Sequence, residues 1–454
     1  MLIKIFILFL FTTSLNSMVL NLKTAIQIGL MKNKEILISQ EKLKSAEANL
    51  KIALASFFPT IEAKGTYTYL GVVPESETKV MGYVPMPTPT DPFNHYHTLE
   101  TMKLKMAREN NYEASINLTQ PIFMWGRLVN NYKFAKIQFE IEKENYKKTR
   151  LKVIKDIKNA FYSYLLSEKN AELMEESYNQ LKENVKSAEA NYKSGVITKY
   201  DFMALQIQLV NMEPSLVQAK SSVEIAKENL KNIIGLQTND FSVIGEFKYE
   251  KIEYNFENLK EQVLNNNSDL KIFSLQKEAI EKLVSVNRSM NKPSLVSIFS
   301  YKYKYIPENE KSFGESSPDS WNITLALTVP ISELFPWSKT SYQIDQAKYN
   351  VEQIDLAYKN LVDFTILRLK QLFIEFNTQY SMIEGQKANV ENAKETYKFR
   401  SQQYKRGLIR YTELIDSQVA LTKAEINYLQ TIFKYIMAKV GLDEIAGIEN
   451  INEF

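Results

Sequence analysis

Two long stretches without proline, each ended by a glycine, constrain the fold of this chain more than any other feature. The first spans residues 127–193 and ends at Gly195. The second spans residues 339–406, contains only Gly385, and ends at Gly407. At ~1.5 Å per residue, each stretch would form a helix about 100 Å long. Glycine suits the left-handed residue that closes a helix. The chain is therefore predicted to contain two very long helices, each of which turns back at a glycine.

The residues around the two glycines repeat one pattern, which indicates an internal duplication. Each turn reads Tyr-Lys-x-Gly, with an acid at the sixth position after the glycine and a glutamine at the eleventh. Segments of alternating polarity also occur in pairs, with spacings of roughly 210 to 235 residues. Each half is therefore predicted to read helix, strand, loop, strand, very long helix, glycine turn, helix.

Four short segments alternate apolar and polar side chains and are predicted to be β-strands. Their sequences are TIEAKGTYTYL, SINLTQP, SLVSIFSYKYKY and WNITLALTVP. Successive side chains of a strand point to opposite faces, so each strand has an apolar, aromatic face and a face of hydroxyl and charged groups. Each segment is about ten residues long, which is the length that crosses a bilayer at a tilt.

These strands fit two environments. A soluble antiparallel sheet on a core explains each strand taken alone, but four strands flanked by polar helices offer such a core little apolar surface. Four strands cannot close a barrel either, since about eight are needed. An open sheet in lipid would leave edge amides unpaired, at a cost of several kcal/mol per group. If the strands meet lipid, the barrel must be assembled from several chains.

Composition argues against several other functions. The net charge of +3 gives no reason to expect nucleic acid, and the absence of cysteine excludes disulfides and thiolate metal sites. No phosphate-binding glycine loop or nucleophile motif is present, so neither an enzyme nor a cofactor is predicted. The two histidines, His95 and His97, have a spacing that could bind a metal on a strand. They lie in a proline-rich segment without a further clustered ligand, so no metal site is predicted.

The ends of the chain and the joint between its halves complete the predicted organisation. One lysine followed by an apolar run and small polar residues indicates a secretory signal over residues 1–17. No later stretch has the ~18 to 20 apolar residues of a membrane-spanning helix. The predicted segments are a signal peptide (1–17), a first repeat (18–236), an equatorial connector (237–258), a second repeat (259–441) and a C-terminal tail (442–454).

Three local features refine this prediction. Thr198 and Asp201 have the spacing of a capping box at the start of the first returning helix. Pro214 is predicted to kink that helix or to mark a joint in it. The segment between the first two strands, residues 72–112, is predicted to be an irregular loop because it is rich in proline.

In this combination of features the chain resembles the TolC-like outer-membrane efflux protein family. The resemblance rests on the order of elements, on FFPTIEAKGTYTY and QPIFMWGR, and on the two glycine tips, and it spans the chain after the signal. It implies a mainly α-helical homotrimer. Four strands per chain would form a twelve-stranded barrel in outer-membrane lipid, continued by a barrel of helical hairpins in the periplasm.

The resemblance also implies a function. The channel would be the passive outer-membrane exit of a tripartite efflux or type I secretion system. A periplasmic adaptor would couple it to an inner-membrane pump of the RND or ABC type. The transported substrate is not predicted.

Acids near the tips match positions at which this family carries a ring around its periplasmic mouth. Glu413 and Asp416 lie three residues apart and so share one helix face. Asp201 stands in the first tip where Glu413 stands in the second, and Ala204 replaces Asp416. Threefold symmetry would crowd these carboxylates into a periplasmic gate that attracts cations. The alternative is that they are ordinary solvated acids on an exposed helix.

The other tip residues have two interpretations. From the resemblance, Tyr192, Gly195, Tyr404 and Gly407 are expected to form the hairpin tips that dock the adaptor, and the alternative is a purely structural role. Some relatives use an arginine near this tip. Here the chain has Ile409 followed by Arg410 at this place, so the resemblance does not decide whether a locking network of salt bridges is present.

A different class of protein explains part of the pattern. A secreted or surface coiled-coil protein, structural or adhesive and without a pore, would also have an export signal and long helices. It would not require four ten-residue strands with one aromatic face, arranged as two related pairs.

Overall fold

The computed structural model describes residues 18–85, 88–91, 93, 95–105, 107, 109–238, 240–305 and 319–451. The predicted signal segment lies outside these residues, and so does most of the segment 306–320, which is predicted from the sequence to be the loop joining the two strands of the second half. The chain forms two compact units. The helical unit comprises residues up to Ala48, Lys136–Ile280 and the chain from Asn350 onward, and the sheet unit comprises Asn49–Ala135 and Glu281–Tyr349.

The described elements are mainly helical. The strands are β1 (Met18–Leu20), β2 (Thr60–Tyr69), β3 (Glu75–Pro85), β4 (His95–Lys105), β5 (Asn110–Phe123), β6 (Phe241–Val243), β7 (Ser294–Tyr305) and β8 (Asp319–Thr328). The helices are α1 (Leu22–Lys32), α2 (Lys34–Ala55), α3 (Arg127–Lys193), α4 (Lys199–Ile234), α5 (Phe256–Asn266), α6 (Ser268–Met290), α7 (Lys339–Lys405) and α8 (Tyr411–Ile445). Within the described residues, none of the helices combines the length and the apolarity needed to cross a membrane.

The two very long helices predicted from the sequence are confirmed. Helices α3 and α7 are each 67 residues long, and α4 and α8 return from them. Gly195 and Gly407 close the long helices in the left-handed conformation, with φ of +75° and +72°. Both turns have the same two hydrogen bonds, which satisfy carbonyl groups at the helix end. These bonds are Gly195 N to Tyr192 O, Val196 N to Asn191 O, Gly407 N to Tyr404 O and Leu408 N to Gln403 O.

The start of α4 is capped as the sequence predicts. The Thr198 hydroxyl oxygen accepts a hydrogen bond from the Asp201 backbone N–H at 3.1 Å. In the expected capping box, the Asp201 carboxylate would accept from the cap backbone, but instead it accepts from the Thr198 hydroxyl at 2.7 Å. Pro214 lies inside α4, which continues on both sides of it. At the equivalent start of α8, Arg410 supplies no side-chain cap.

The internal duplication is also visible in two pairs of residues that the sequence did not single out. The Asn33 and Asn267 side-chain amides donate to the Ile233 and Ile445 carbonyl oxygens, at 2.7 and 3.0 Å. Each bond ties the junction between two helices to the end of a returning helix. Gly235 and Gly447 also correspond, since a Cβ on either would lie within 3 Å of a carbonyl oxygen, that of Lys32 or Asn266.

The core of the helical unit is built where the two halves meet. Tyr435, Phe161 and Phe376 are its largest fully buried side chains. The Tyr435 ring stacks on Phe376 at 4.7 Å, and its hydroxyl donates to the carbonyl oxygen of Glu250 in the connector. The connector also supplies β6, which pairs in parallel with β1. Helix α8 continues to Ile445, so the segment predicted as a tail begins inside it.

The four predicted strands form one antiparallel sheet in the order β2-β5-β7-β8. Strand β5 pairs with β2 along the whole of β2, and β7 pairs with β5 and β8. Strands β2 and β8 have no strand on their outer sides among the described residues. The sheet is therefore open, with two free edges.

One prediction about this unit is wrong. Residues 72–112 are not an irregular loop, because β3 and β4 form an antiparallel hairpin with eleven paired positions, from Glu75 with Lys105 to Pro85 with His95. Of the prolines that suggested a loop, two lie within the described residues: Pro85 is the last residue of β3, and Pro89 lies between the bridged residues Thr88 and Asp91, so neither interrupts the strand pairing. His95 and His97 consequently lie on a strand.

Candidate functional site

The register of the sheet brings the apolar side chains of all four strands to one face. Leu327, Leu325, Ile323 and Trp321 of β8 stand opposite Leu295, Ser297, Phe299 and Tyr301 of β7. The face continues across β5 and β2 with Leu118, Ile116, Ala114, Tyr112, Ile61, Ala63, Gly65, Tyr67 and Tyr69. Leu325, Ile323 and Trp321 are each about two-thirds exposed. Such an uncovered apolar sheet face indicates contact with lipid or another chain.

Aromatic rings border this apolar face at both ends. At one end, Tyr67, Tyr112 and Tyr305 form a row across three strands, with centroids 5.0 and 5.9 Å apart. At the other end, Trp125 and Trp337 follow β5 and β8 and are 49% and 69% exposed. Tyr112 and Trp125 are thirteen positions apart, which is about 30 Å across a bilayer once the strands tilt, enough to enclose the ~25 Å apolar band of outer-membrane barrels.

The opposite face of the sheet is mainly polar, with Val296 and Ile298 at one end of β7 as exceptions. Its charged side chains are Glu62, Lys64, Glu113, Lys302 and Lys304, and the Lys302 ammonium lies 3.8 Å from the Glu113 carboxylate. The Ser300 hydroxyl donates to the Asn117 side-chain oxygen at 2.6 Å. Because a sheet with this division separates an apolar environment from water, the polar face is suited to line a water-filled lumen.

At the second hairpin tip, Glu413 has a partner that sequence reasoning missed. The Arg400 guanidinium donates to the Glu413 carboxylate at 2.8 Å. Arg400 lies seven residues before Gly407 and Glu413 six after it. Nearly equal distance from the glycine of an antiparallel helical turn was therefore the sequence signal for this pair. Asp416 is exposed and forms no ion pair within the described chain, so it retains an uncompensated charge.

At the first tip, Asp201 takes part in capping the N-terminus of α4. Its carboxylate and its backbone N–H both bond to Thr198, and the side chain is half-buried. Asp201 therefore has a local structural role as well as a charge. The two tips lie side by side, because Phe202 and Ile197 of the first pack in one cluster with Tyr404 and Tyr411 of the second.

The two tyrosines expected at the docking surface pack within their own hairpins. The Tyr192 ring stacks on Phe202 at 5.6 Å, and the Tyr404 ring meets Tyr411 edge-on at 4.9 Å. Burial raises the pKa of the Tyr404 and Tyr411 phenols above their usual range. These contacts hold each long helix against its returning partner. The backbone at Gly195 and Gly407 is open to approach, since a Cβ on either would meet nothing within 4 Å.

The exposed apolar side chains at the tips are different residues. Val196 and Leu408 directly follow the two glycines, a position that commonly packs back on the helix. Here they are 71% and 67% exposed, and Tyr200 is 81% exposed. The repeated apolar residue after each glycine was the sequence signal for this surface, which we call the tip patch (Val196, Tyr200, Leu408).

The two hairpins are joined by a buried polar contact. The Gln418 side-chain amide donates to the backbone oxygen and the hydroxyl of Ser177, at 3.1 and 3.2 Å. Gln418 is 4% and Ser177 5% exposed. The contact joins α8 to α3 across 241 positions of sequence, so no local pattern could have indicated it. Tyr397 adds a second bond between the hairpins, from its hydroxyl to the Gln180 oxygen.

Replacing Gln418 with alanine should destabilise the helical unit by about 1–3 kcal/mol, because the buried Ser177 loses its partner. Gln206 provides a matched control, since it occupies the same place in the first repeat and is exposed. Gln206→Ala should change stability by less than about 0.5 kcal/mol. Thermal unfolding of the detergent-solubilised protein, followed by circular dichroism, measures both. Equal losses in the two variants would contradict the role given to Gln418.

A sheet that is apolar on one face and mainly polar on the other, in a chain with two long helical hairpins, is typical of an outer-membrane channel protein. The family model for outer membrane efflux proteins matches residues 25–236 and 259–447, so the chain belongs to that family. Its members are outer-membrane channels and not enzymes, which confirms the predicted class and location.

Solved structures show the same fold at low sequence identity. The chain is similar to the outer-membrane channel CmeC of Campylobacter jejuni, with a TM-score of 0.76, 18% identity and coverage of 94% of this chain and 85% of that one. It is also similar to VceC of Vibrio cholerae, with a TM-score of 0.72, 15% identity and coverage of 94% of this chain and 96% of that one. A third similar structure is the open state of MtrE of Neisseria gonorrhoeae, with a TM-score of 0.73, 14% identity and coverage of 94% of this chain and 89% of that one. No curated protein sequence matches the chain significantly.

Proposed function

We propose that the chain is one third of a homotrimeric exit channel that carries solutes passively across the outer membrane and the periplasm. The observation that carries this proposal is the open four-stranded sheet with an exposed apolar face. Three copies supply twelve strands, and pairing β8 of one copy with β2 of the next removes every free edge. The polar faces then line a lumen, and the apolar faces meet outer-membrane lipid.

The helical unit offers a second surface for another copy. Helix α4 carries apolar side chains at heptad spacing that are between 48% and 65% exposed. They are Met203, Ile207, Val210 and Val217. A stripe at this spacing is the seam through which helices pack in coiled coils. In the trimer, we expect the hairpins to form a periplasmic barrel in which this stripe contacts the neighbouring protomer.

The tips supply the proposed gate and docking site. Threefold symmetry would repeat Glu413, Asp416 and Asp201 around the periplasmic mouth, with the uncompensated Asp416 contributing most to its field. The tip patch, beside Gly195 and Gly407, would dock a periplasmic adaptor. The adaptor would couple the passive channel to an inner-membrane pump, as in tripartite efflux or type I secretion.

Electrophoresis and single-channel recording test the proposal together. The protein extracted from outer membranes should migrate as a trimer that dissociates to monomers on heating, and the trimer should conduct ions in planar bilayers. A chain that stays monomeric in buffer without detergent, and that forms no channels, would contradict the proposal. That result would leave a coiled-coil protein without a pore.

A further inference from the structure

The β3–β4 hairpin brings the only two histidines of the chain together. His95 and His97 are both exposed and lie two residues apart on β4, so their side chains share one face of the hairpin. Tyr83 of β3 stands opposite His97 and lies on the same face. None of the residues given a role in the channel is on this hairpin.

The two imidazole rings are already close to the separation that a shared metal ion requires. Their centroids are 5.6 Å apart, with the ring planes at 85°. A metal–nitrogen bond of ~2.0–2.1 Å puts a ring centre about 3.2 Å from the ion, so two imidazoles on one ion have centres about 4.5 to 5.2 Å apart. Small rotations of exposed side chains close the remaining gap.

A hydrogen bond selects the tautomer of the neutral His95 ring. Its Nδ1 lies 3.0 Å from the Phe93 carbonyl oxygen. Because a carbonyl oxygen can only accept, Nδ1 carries the proton and the lone pair of the neutral ring is on Nε2. Metal-binding histidines commonly donate their second ring nitrogen to a carbonyl in this way.

Tyr83 supports both rings from the neighbouring strand. Its ring centroid lies 5.2 Å from that of His95 and 4.8 Å from that of His97, in edge-on contacts. No group of three or more His, Asp or Glu side chains within the described ranges could hold a metal. A metal bound here would therefore have two protein ligands and complete its coordination with water, which makes it exchangeable.

We propose that His95 and His97 form a surface site for one divalent transition-metal ion per chain. Imidazole ligands suit Cu²⁺, Ni²⁺ and Zn²⁺, and Cu²⁺ should bind most tightly. The site requires only the β3–β4 hairpin and does not depend on assembly of the channel.

Copper titration of the full chain in detergent tests this site. The protein is produced without a polyhistidine tag, and binding is followed by calorimetry and by electron paramagnetic resonance. One Cu²⁺ per chain should bind with nitrogen couplings from imidazole, and acidification to about pH 5 should release it because the ligands must be neutral. NiCl2 and ZnCl2 should bind more weakly.

Variants separate this site from other copper ligands. His95→Ala and His97→Ala should each weaken binding at least about tenfold, as expected for loss of one of two ligands. The double variant should lose the imidazole signal. Tyr83→Phe keeps the ring contacts and should bind as the wild type does. All four variants should remain conducting trimers, so failure of the channel and failure of the metal site are distinguishable. Wild-type copper affinity in the double variant, or no imidazole signal in the wild type, would overturn the proposal.

Discussion

Replacing Leu325 with arginine should keep the protein out of the outer membrane, whereas the same replacement at Thr324 should not. The two residues are neighbours on β8 and both are exposed. Leu325 lies in the middle of the apolar run on the face proposed to meet lipid, and Thr324 lies on the polar face. Both substitutions add one positive charge at neighbouring exposed positions, so the main difference between them is the environment of the face.

The expected difference between these variants is large. Arginine on the lipid face at the bilayer midplane costs about 2–4 kcal/mol per chain. Three copies in one barrel multiply this to about 6–12 kcal/mol, which is comparable to the whole stability of an ordinary domain. Arginine at Thr324 would lie on the polar face, which is proposed to meet water, so it should not carry this cost.

Membrane fractionation and heat-sensitive trimer formation measure the effect. Leu325→Arg should give little outer-membrane trimer, and Thr324→Arg should give nearly the wild-type amount. If both variants insert equally well, the apolar face does not meet lipid. If both fail equally, the sheet has no water-filled side. Either result would require a different assembly.

The long helices could be predicted from the sequence almost to the residue. A helix breaks where glycine or proline intervenes, and the proline-free runs ended where α3 and α7 end. The strands were also predictable, because alternation determines which residues of a strand share a face. It does not determine which residues of two strands stand opposite each other. Only the register shows that the apolar faces of four strands coincide.

One wrong prediction and two missed contacts have different causes. Proline content led to the wrong prediction for the β3–β4 hairpin, because composition averages over a segment whereas Pro85 and Pro89 lie at its closed end. The Gln418–Ser177 contact joins two hairpins and has no sequence spacing that predicts it. The Arg400–Glu413 pair could have been predicted, because the two residues lie almost symmetrically about Gly407. The resemblance to relatives with an arginine near the tip pointed to Arg410 instead.

That pair determines how ion selectivity at the periplasmic mouth should respond to mutation. Arg400 and Glu413 carry opposite charges 2.8 Å apart, so together they contribute little net field to a passing ion. Asp416 forms no ion pair in the described part of the chain, and threefold symmetry would place three such carboxylates around the mouth. Lys405, Arg406 and Arg410 lie nearby and are unchanged in every variant, so differences between variants isolate the acids.

Asp416→Asn should therefore lower the permeability ratio of K⁺ to Cl⁻ by about fivefold. A cation ~4 Å from one unit charge in water gains about 1 kcal/mol, and that energy corresponds to a factor of about five. Reversal potentials in planar bilayers measure the ratio. The salt concentration should be about 0.1 M, because at about 1 M the field is screened within ~3 Å.

The pair itself provides the matched control. Arg400→Gln with Glu413→Gln removes one positive and one negative charge per chain and should leave the ratio close to that of the wild type. Arg400→Gln alone exposes the Glu413 charge and should raise the ratio. An Asp416→Asn channel with unchanged selectivity would mean that Asp416 does not face the ion path. A double variant that loses selectivity as Asp416→Asn does would mean that Glu413 acts as a gate charge despite its partner. The ranking of the three variants by their permeability ratio of K⁺ to Cl⁻, rather than any single value, therefore identifies which carboxylate a passing ion meets.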